Sequence, residues 1–260
     1  MEVSSAQVAS RRTGSVALHP EEKVRLLSMM DILEPLSREE VEDLSRRVPD
    51  VHVERGKVFY TPREKGEVLF MLKKGRVKLY TMSPDGRELV MALVERGSVF
   101  GEMSLTAQQL HGAYAEAVEP AIICAMSRAQ IEDLVYRKPQ VGLKMMGMLS
   151  ERLALYQHRI EDIGLKEVPA RLASLILQFA ASEGVVTREG VKIPTRYTHE
   201  QLGAMLGAKR ETVTRALTVL QESGVVELRR RRILINDPEE LERISRTTSS
   251  RARSHAHSPT

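Results

Sequence analysis

The 260 residues include no tryptophan, one cysteine and only ten phenyl or phenol rings, six Tyr and four Phe. A single Cys excludes an internal disulfide and any four-cysteine zinc or iron–sulfur site. That fits a reducing cytoplasm. No apolar run approaches the roughly 18 residues of a membrane span, and Met1–Thr13 lacks the apolar middle of a signal peptide. No nucleophile–base set, metal-ligand cluster or phosphate-binding Gly loop is evident, so no enzyme and no cofactor are expected. With aromatics at 4%, the hydrophobic 42% must build cores from Leu, Val, Ile and twelve Met.

The length favours two domains, and the charge divides the same way. From Arg196 to Thr260 there are twelve Lys+Arg against eight Asp+Glu, while the other 195 residues balance at 27 of each. All the excess of +4 sits in the C-terminal quarter. A neutral body with a basic end suggests a sensing or scaffolding part joined to a polyanion-binding part.

Residues 1–20 are Ser/Ala/Arg-rich without periodicity and read as a disordered arm. Two short helices follow over Glu21–Met30 and Ser37–Val48, the second opened by Ser37 with Glu40 as a capping box. From Val51 to Met126 short alternating runs are punctuated by Gly. Val68–Leu72, Val77–Tyr80 and Leu89–Leu93 read as strands, and Ser83-Pro84-Asp85-Gly86-Arg87 as a turn. That spacing implies an antiparallel roll or barrel over residues 21–138. A helix over Ser127–Arg137 precedes a long one from Pro139 to about Gly164. Within it Met146, Leu149, Leu153, Tyr156, Ile160 and Ile163 recur at 3, 4, 3, 4, 3, a heptad seam. Such a narrow stripe suits a partner helix, hence a homodimer through residues 139–165. Packing against the chain's own body is the other reading. Pro169 opens a further helix as its first residue, through Ala181.

Residues 198–222 carry the clearest motif. Thr198 and Gln201 form a second capping box before a helix burying Leu202, Met205 and Leu206. Gly207-Ala208 makes a turn. A second helix, Lys209–Glu222, buries Val213, Leu217 and Leu220 and stops at Ser223-Gly224. Two short helices across a Gly turn form a helix-turn-helix. Arg210, Glu211, Thr214 and Arg215 fall off the buried face of the second helix. An Arg there can bridge O6 and N7 of guanine, and Glu can accept from cytosine N4. Two β-rich runs flank Arg229, Arg230, Arg231 and Arg232, a basic wing suited to phosphate oxygens. Thr198, Lys209, Thr212 and Thr214 join them as expected phosphate contacts. Residues 166–245 thus read as a winged helix-turn-helix DNA-binding domain, and 246–260 as a disordered tail.

THEQLGAMLGAKRETVTRALTVLQESGVVE, with FGEMSL at Phe100–Leu105, resembles the cyclic-AMP receptor protein/FNR family of bacterial transcription regulators over about Val24–Leu241. The resemblance implies an α+β chain: an N-terminal antiparallel β-roll of jelly-roll type, a long dimerisation helix and a C-terminal winged helix-turn-helix. It implies double-stranded DNA and RNA polymerase as partners. In the cyclic-AMP branch the recognition helix carries R-E-x-x-x-R, present here as Arg210, Glu211 and Arg215. The implied half-site resembles TGTGA in a two-fold symmetric operator.

One part of the family pattern is missing. Gly101 and Glu102 match the pair that contacts the ribose, with Met103 and Ser104 following. The phosphate-clamping Arg and Ser fall on Gly112 and Ala113, and no Lys or Arg occurs from Ser104 to Glu116. The adenine-facing pair on the dimer helix falls on Tyr156 and Gln157. Charge-assisted contacts to phosphate are worth about 1.5–3 kcal/mol each, so cyclic AMP is not expected to bind tightly. Three readings stay open: a pocket plugged by side chains, Tyr114 foremost; a pocket for another small ligand; or a haem or redox sensor. For the last, Cys124 in an apolar strand reads as an inert buried thiol, and His19, His52 and His111 lack ligand spacing. Iron–sulfur sensing is excluded by the single Cys. A regulatory subunit that holds a ligand without a DNA role is the competing class.

Overall fold

The computed structural model describes residues 19–62, 68–101, 113–229 and 232–247. The chain divides between Glu151 and Arg152 into two compact units.

In the first unit, alternation of apolar side chains builds β1 (Asp50–Val53), β2 (Val58–Tyr60), β3 (Val68–Lys74), β4 (Val77–Met82), β5 (Glu88–Val94), β6 (Val99–Phe100), β7 (Tyr114–Ala117) and β8 (Ala121–Ser127). They pair antiparallel into two four-stranded sheets, ordered β1-β8-β3-β6 and β2-β7-β4-β5. This is the expected roll. One apolar cluster, including Val53, Leu72, Val77, Leu79, Ala115 and Ile123, draws on both sheets. Three of the four Phe meet in it, with ring centroids 5.5 Å apart for Phe59–Phe70 and 5.0 Å for Phe59–Phe100 and Phe70–Phe100. Of these rings Phe70 lies close to Gly101, 3.3 Å from where a Cβ at that residue would stand.

A second cluster covers the opposite face of the first sheet. It joins Leu69, Met71, Cys124 and Met126 to Leu27, Met30 and Leu33, and to Val41 and Leu44. The helices responsible are α1 (Pro20–Ser28), α2 (Arg38–Arg47) and α3 (Arg128–Arg137). Ser37 and Glu40 cap α2 reciprocally, as the sequence indicates, and Ser127 with Gln130 does the same for α3. The turn at Ser83–Arg87 is also as expected, with Gly86 at φ +80°.

One charged side chain of this unit is buried deeply. The β3–β8 register slips between Leu72 and Lys74, so Lys73 is the extra residue of a bulge. Its side chain is fully buried, and Nζ donates to Asp50 Oδ1 at 2.5 Å.

Helix α4 (Pro139–Leu165) carries the junction between the units. Beyond it, α5 (Val168–Glu183) starts one residue earlier and ends two later than the sequence suggests, with Pro169 second in the helix. Val168 needs no special donor at that position, so the Pro does not mark the start. α5 buries Leu172, Leu175, Ile176 and Phe179. It packs on α6 (His199–Leu206), α7 (Arg210–Glu222) and α8 (Pro238–Ser245). The wing strands β11 (Val226–Arg229) and β12 (Arg232–Ile235) do not stand alone. They extend into a sheet ordered β11-β12-β10-β9 through the hairpin β9 (Val185–Thr187) and β10 (Gly190–Lys192). The two β-rich runs around Arg229–Arg232 thus belong to a four-stranded sheet and not to an isolated wing.

Candidate nucleic-acid interface

The helix-turn-helix begins with a built start. Thr198 Oγ1 accepts from Gln201 N at 3.1 Å, and Gln201 Oε1 accepts from Thr198 N at 2.8 Å. Gly207 ends α6 at φ +62°, ψ +35°, the left-handed conformation that glycine adopts without penalty. Lys209 then stands at the N-cap of α7 without a side-chain cap bond. Along α7, Val213, Ala216, Leu217 and Leu220 are buried, while Arg210, Glu211, Thr214 and Arg215 are exposed and Thr212 is half-buried. The structure thus brings the three expected base-reading side chains onto the free side of one helix. Gly224 follows the helix at φ +76°.

Three supports escaped the sequence reading. Tyr197, just before the cap, stacks on Phe179 with centroids 4.1 Å apart and rings 6° from parallel. Its hydroxyl donates to Glu183 Oε1 at 2.9 Å, and Thr195 donates to the other oxygen of the same carboxylate. Arg171 Nη1 donates to the Leu206 carbonyl at 2.9 Å, satisfying a helix-end acceptor at the turn. Burial lowers the Arg171 pKa from the ordinary guanidinium range, with Asp162 opposing that shift. His199 Nδ1 lies 2.8 Å from Thr214 Oγ1, and that hydroxyl also donates to Arg210 O at 3.0 Å. The Thr214 hydroxyl therefore has partners inside the motif before any phosphate arrives. An aromatic one residue ahead of a capping box, and an Arg inside the apolar stripe of α5, were the available signals.

In the wing, Arg230 and Arg231 lie outside the described residues. Arg229 and Arg232 face each other across the hairpin. Arg232 Nε donates to Pro194 O at 3.0 Å. Arg229 forms ion pairs with Glu227, at 2.7 Å, and with Glu189. Its hydrogen bond to Glu227 comes first among the causes that raise its pKa, and the same bond lowers that of Glu227.

On α4 the seam residues Met146, Leu149, Leu153, Ile160 and Ile163 are 56–71% exposed. Leu143, which the seam omitted, is equally open at 62%. Tyr156 is half-buried, as are Arg152 and Arg159, four and three residues away on the same helix. Gln157 is exposed.

At the roll, Glu102, Met103, Ser104, His111 and Gly112 lie outside the described residues. Gly101 has φ +106°, and a Cβ there would sit 2.5 Å from the Val68 carbonyl oxygen, so only glycine fits. Ala113 is buried. Tyr114 does not fill the interior. Strand alternation sends Ala115 and Ala117 into the core, and Tyr114 takes the other face, stacked on Tyr80 at 5.0 Å. There Lys78 lies 4.2 Å from the Tyr80 ring centre and pairs with Glu88 at 2.7 Å and Glu116 at 3.3 Å. Burial, aided by Glu116, pushes the Tyr80 phenol up to about 12. The aromatic rings of the roll's core are Phe59, Phe70 and Phe100, with Tyr60 beside Phe70. Cys124 is fully buried, and burial pushes its thiol up to about 12. Among the described residues no group of three His, Cys, Asp or Glu could hold a metal ion, and no helix is long and apolar enough to cross a membrane.

Residues 50–138 match the cyclic nucleotide-binding domain, and residues 170–244 match the Crp-like helix-turn-helix domain. Among relatives, the cyclic AMP receptor protein of Thermus thermophilus is 31% identical over 174 residues, 67% of this chain and 77% of that protein. A CRP-like cAMP-activated global transcriptional regulator of Mycobacterium tuberculosis is 25% identical over 221 residues, 85% of this chain and 99% of that protein. Among solved structures, a CooA mutant from Carboxydothermus hydrogenoformans superposes with a TM-score of 0.67 at 25% identity, covering 77% of this chain and 88% of that one.

Proposed function

The chain belongs to the CRP/FNR family of transcription regulators, and from that premise we propose that it acts as a homodimer reading a two-fold symmetric operator with TGTGA-like half-sites. The chain carries a helix-turn-helix DNA-binding domain and a cyclic nucleotide-binding domain. In this reading residues 21–138 form the effector-type roll, 139–165 the dimerisation helix and 166–245 the DNA-binding domain. Two copies pair along Met146, Leu149, Leu153, Tyr156, Ile160 and Ile163. The two α7 helices then enter successive major grooves about 34 Å apart.

Each side chain has a role. Arg210 and Arg215 take guanine O6 and N7, and Glu211 accepts from cytosine N4. Thr198, Lys209, Thr212, Thr214 and, in the wing, Arg230, Arg231 and Arg232 meet phosphates; Arg229, expected among them, is held by two carboxylates. The observation that carries the reading is α7 itself: two guanidiniums and a carboxylate are exposed on one side, and an unbroken apolar face is sealed on the other. RNA polymerase is the partner through which occupancy becomes transcriptional output.

The effector reading differs from that of relatives named for cyclic AMP. With Gly112 and Ala113 where the family clamps phosphate, this chain binds its operator without a cyclic-AMP requirement. Support comes from the charge inventory of residues 104–116, which lacks Lys and Arg.

Fluorescence anisotropy on a TGTGA palindrome and a scrambled duplex, with and without cyclic AMP, tests both points. The palindrome should bind more tightly, cyclic AMP should not change that, and Arg210→Ala should cost about 1–3 kcal/mol on the palindrome alone. Equal affinity for both duplexes rejects base reading. A large cyclic-AMP effect rejects the effector reading.

A further inference from the structure

Arg229 ends β11 where the wing turns, yet its guanidinium is already occupied. Nε donates to Glu227 Oε1 at 2.7 Å, and Nη1 donates to Glu189 Oε2. Glu227 lies two residues back on the same strand, hence on the same face. Glu189 comes from the other hairpin of the sheet, in the turn between β9 and β10. That turn is held in place. Thr187 Oγ1 donates to Gly190 O at 2.8 Å and accepts from Glu189 N at 3.3 Å, and Gly190 takes φ +131°. One cation thus faces two carboxylates from separate segments. The three side chains keep 42–63% of their exposure, so a DNA phosphate can compete for the guanidinium. Arg232, one position across the hairpin, meets a neutral carbonyl instead, and its charge stays available.

We propose that Glu189 and Glu227 form an acidic clamp that withholds Arg229 from the DNA backbone and so limits how strongly the wing grips DNA of any sequence. The inference rests on the docking proposed above, in which the wing meets phosphate. Releasing Arg229 replaces two fixed carboxylates by one phosphate and adds a counterion-releasing contact. The clamp therefore weakens sequence-independent binding and leaves base reading by α7 untouched. Its consequence is a larger share of affinity carried by base contacts.

Salt titrations of binding to a scrambled duplex and to the palindrome decide the matter, using full-length wild type, E189Q/E227Q, R229A and the triple variant. E189Q/E227Q should tighten both duplexes by the same factor, about threefold or more at low salt. It should also steepen the slope of log K against log salt by about 1.8, about 0.9 for each Arg229 of the dimer. R229A should leave the wild-type slope unchanged but abolish the gain in the Gln background. The clamp is refuted if R229A alone flattens the wild-type slope by about 1.8, because both guanidiniums of the dimer would already be on phosphate. It is equally refuted if the two Gln substitutions change neither affinity nor slope. The scrambled duplex reads the clamp without reference to base recognition, while R210A on the palindrome reads base recognition without reference to the clamp.

Discussion

Leu153→Glu puts the proposed dimer to its sharpest test. Leu153 is 59% exposed at the middle of the α4 seam, between Leu149 at 62% and Ile160 at 71%. Full burial of a leucine side chain contributes about 1.5–3 kcal/mol. With about three-fifths of that area left to bury, pairing gains about 1–2 kcal/mol per copy at this residue. A two-fold interface counts each residue twice, so losing both leucines costs about 2–4 kcal/mol. That weakens the dimer about 30- to 1,000-fold before any charge effect. The glutamates add to the loss, since carboxylates brought beside each other in an apolar seam repel and lose water. Sedimentation equilibrium over a micromolar range should find wild type dimeric and Leu153→Glu monomeric. Circular dichroism should show retained helix, because position 153 touches solvent within one chain. Operator affinity should collapse in parallel, while Arg210 keeps its geometry. An unchanged dimer constant in the variant, or a monomeric wild type, refutes the argument that the exposed stripe is a subunit contact.

Other outcomes follow from buried polarity and from the thiol. Asp50→Ala leaves the fully buried Lys73 ammonium unpaired, which costs about 3–5 kcal/mol and should lower Tm by about 10 °C or more. Asp50→Leu with Lys73→Met should recover most of that in a thermal melt, since no lone charge remains. Cys124, raised to about 12 from 9.0 by burial, should resist iodoacetamide at pH 8 until the chain is unfolded. Its folded pKa exceeds its unfolded one, so above pH 9 the unfolded state binds fewer protons and this thiol's contribution to stability falls as pH rises toward 12. Denaturant titrations between pH 8 and 10.5 should show that decline, and Cys124→Ala should remove this component of it.

Local chemistry made much of the fold legible. Ser37–Glu40 and Thr198–Gln201 announce helix starts because the cap satisfies two backbone donors with nearby side chains. The Gly207 turn and the apolar side of α7 follow from conformational freedom and period alone. What escaped depends on contacts distant in sequence. The Glu183–Tyr197 bond, the Arg171–Leu206 bond and the joining of the 185–192 hairpin to the wing each link residues 12 or more positions apart. The bulge at Lys73 was hidden for a related reason, since a slip in register is a property of two strands. At the candidate site, the exposed side of α7 was read in advance. Engagement of Arg229 by two carboxylates was not, because one of them lies 40 residues upstream. Strand parity decides against Tyr114 as a plug: one position to either side would have pointed it inward.

Gly101 is doubly constrained, by a positive φ and by the Val68 carbonyl that would collide with any side chain. Any side chain there would push β6 away from β3, so variation along this edge of the sheet has to stop at residue 101.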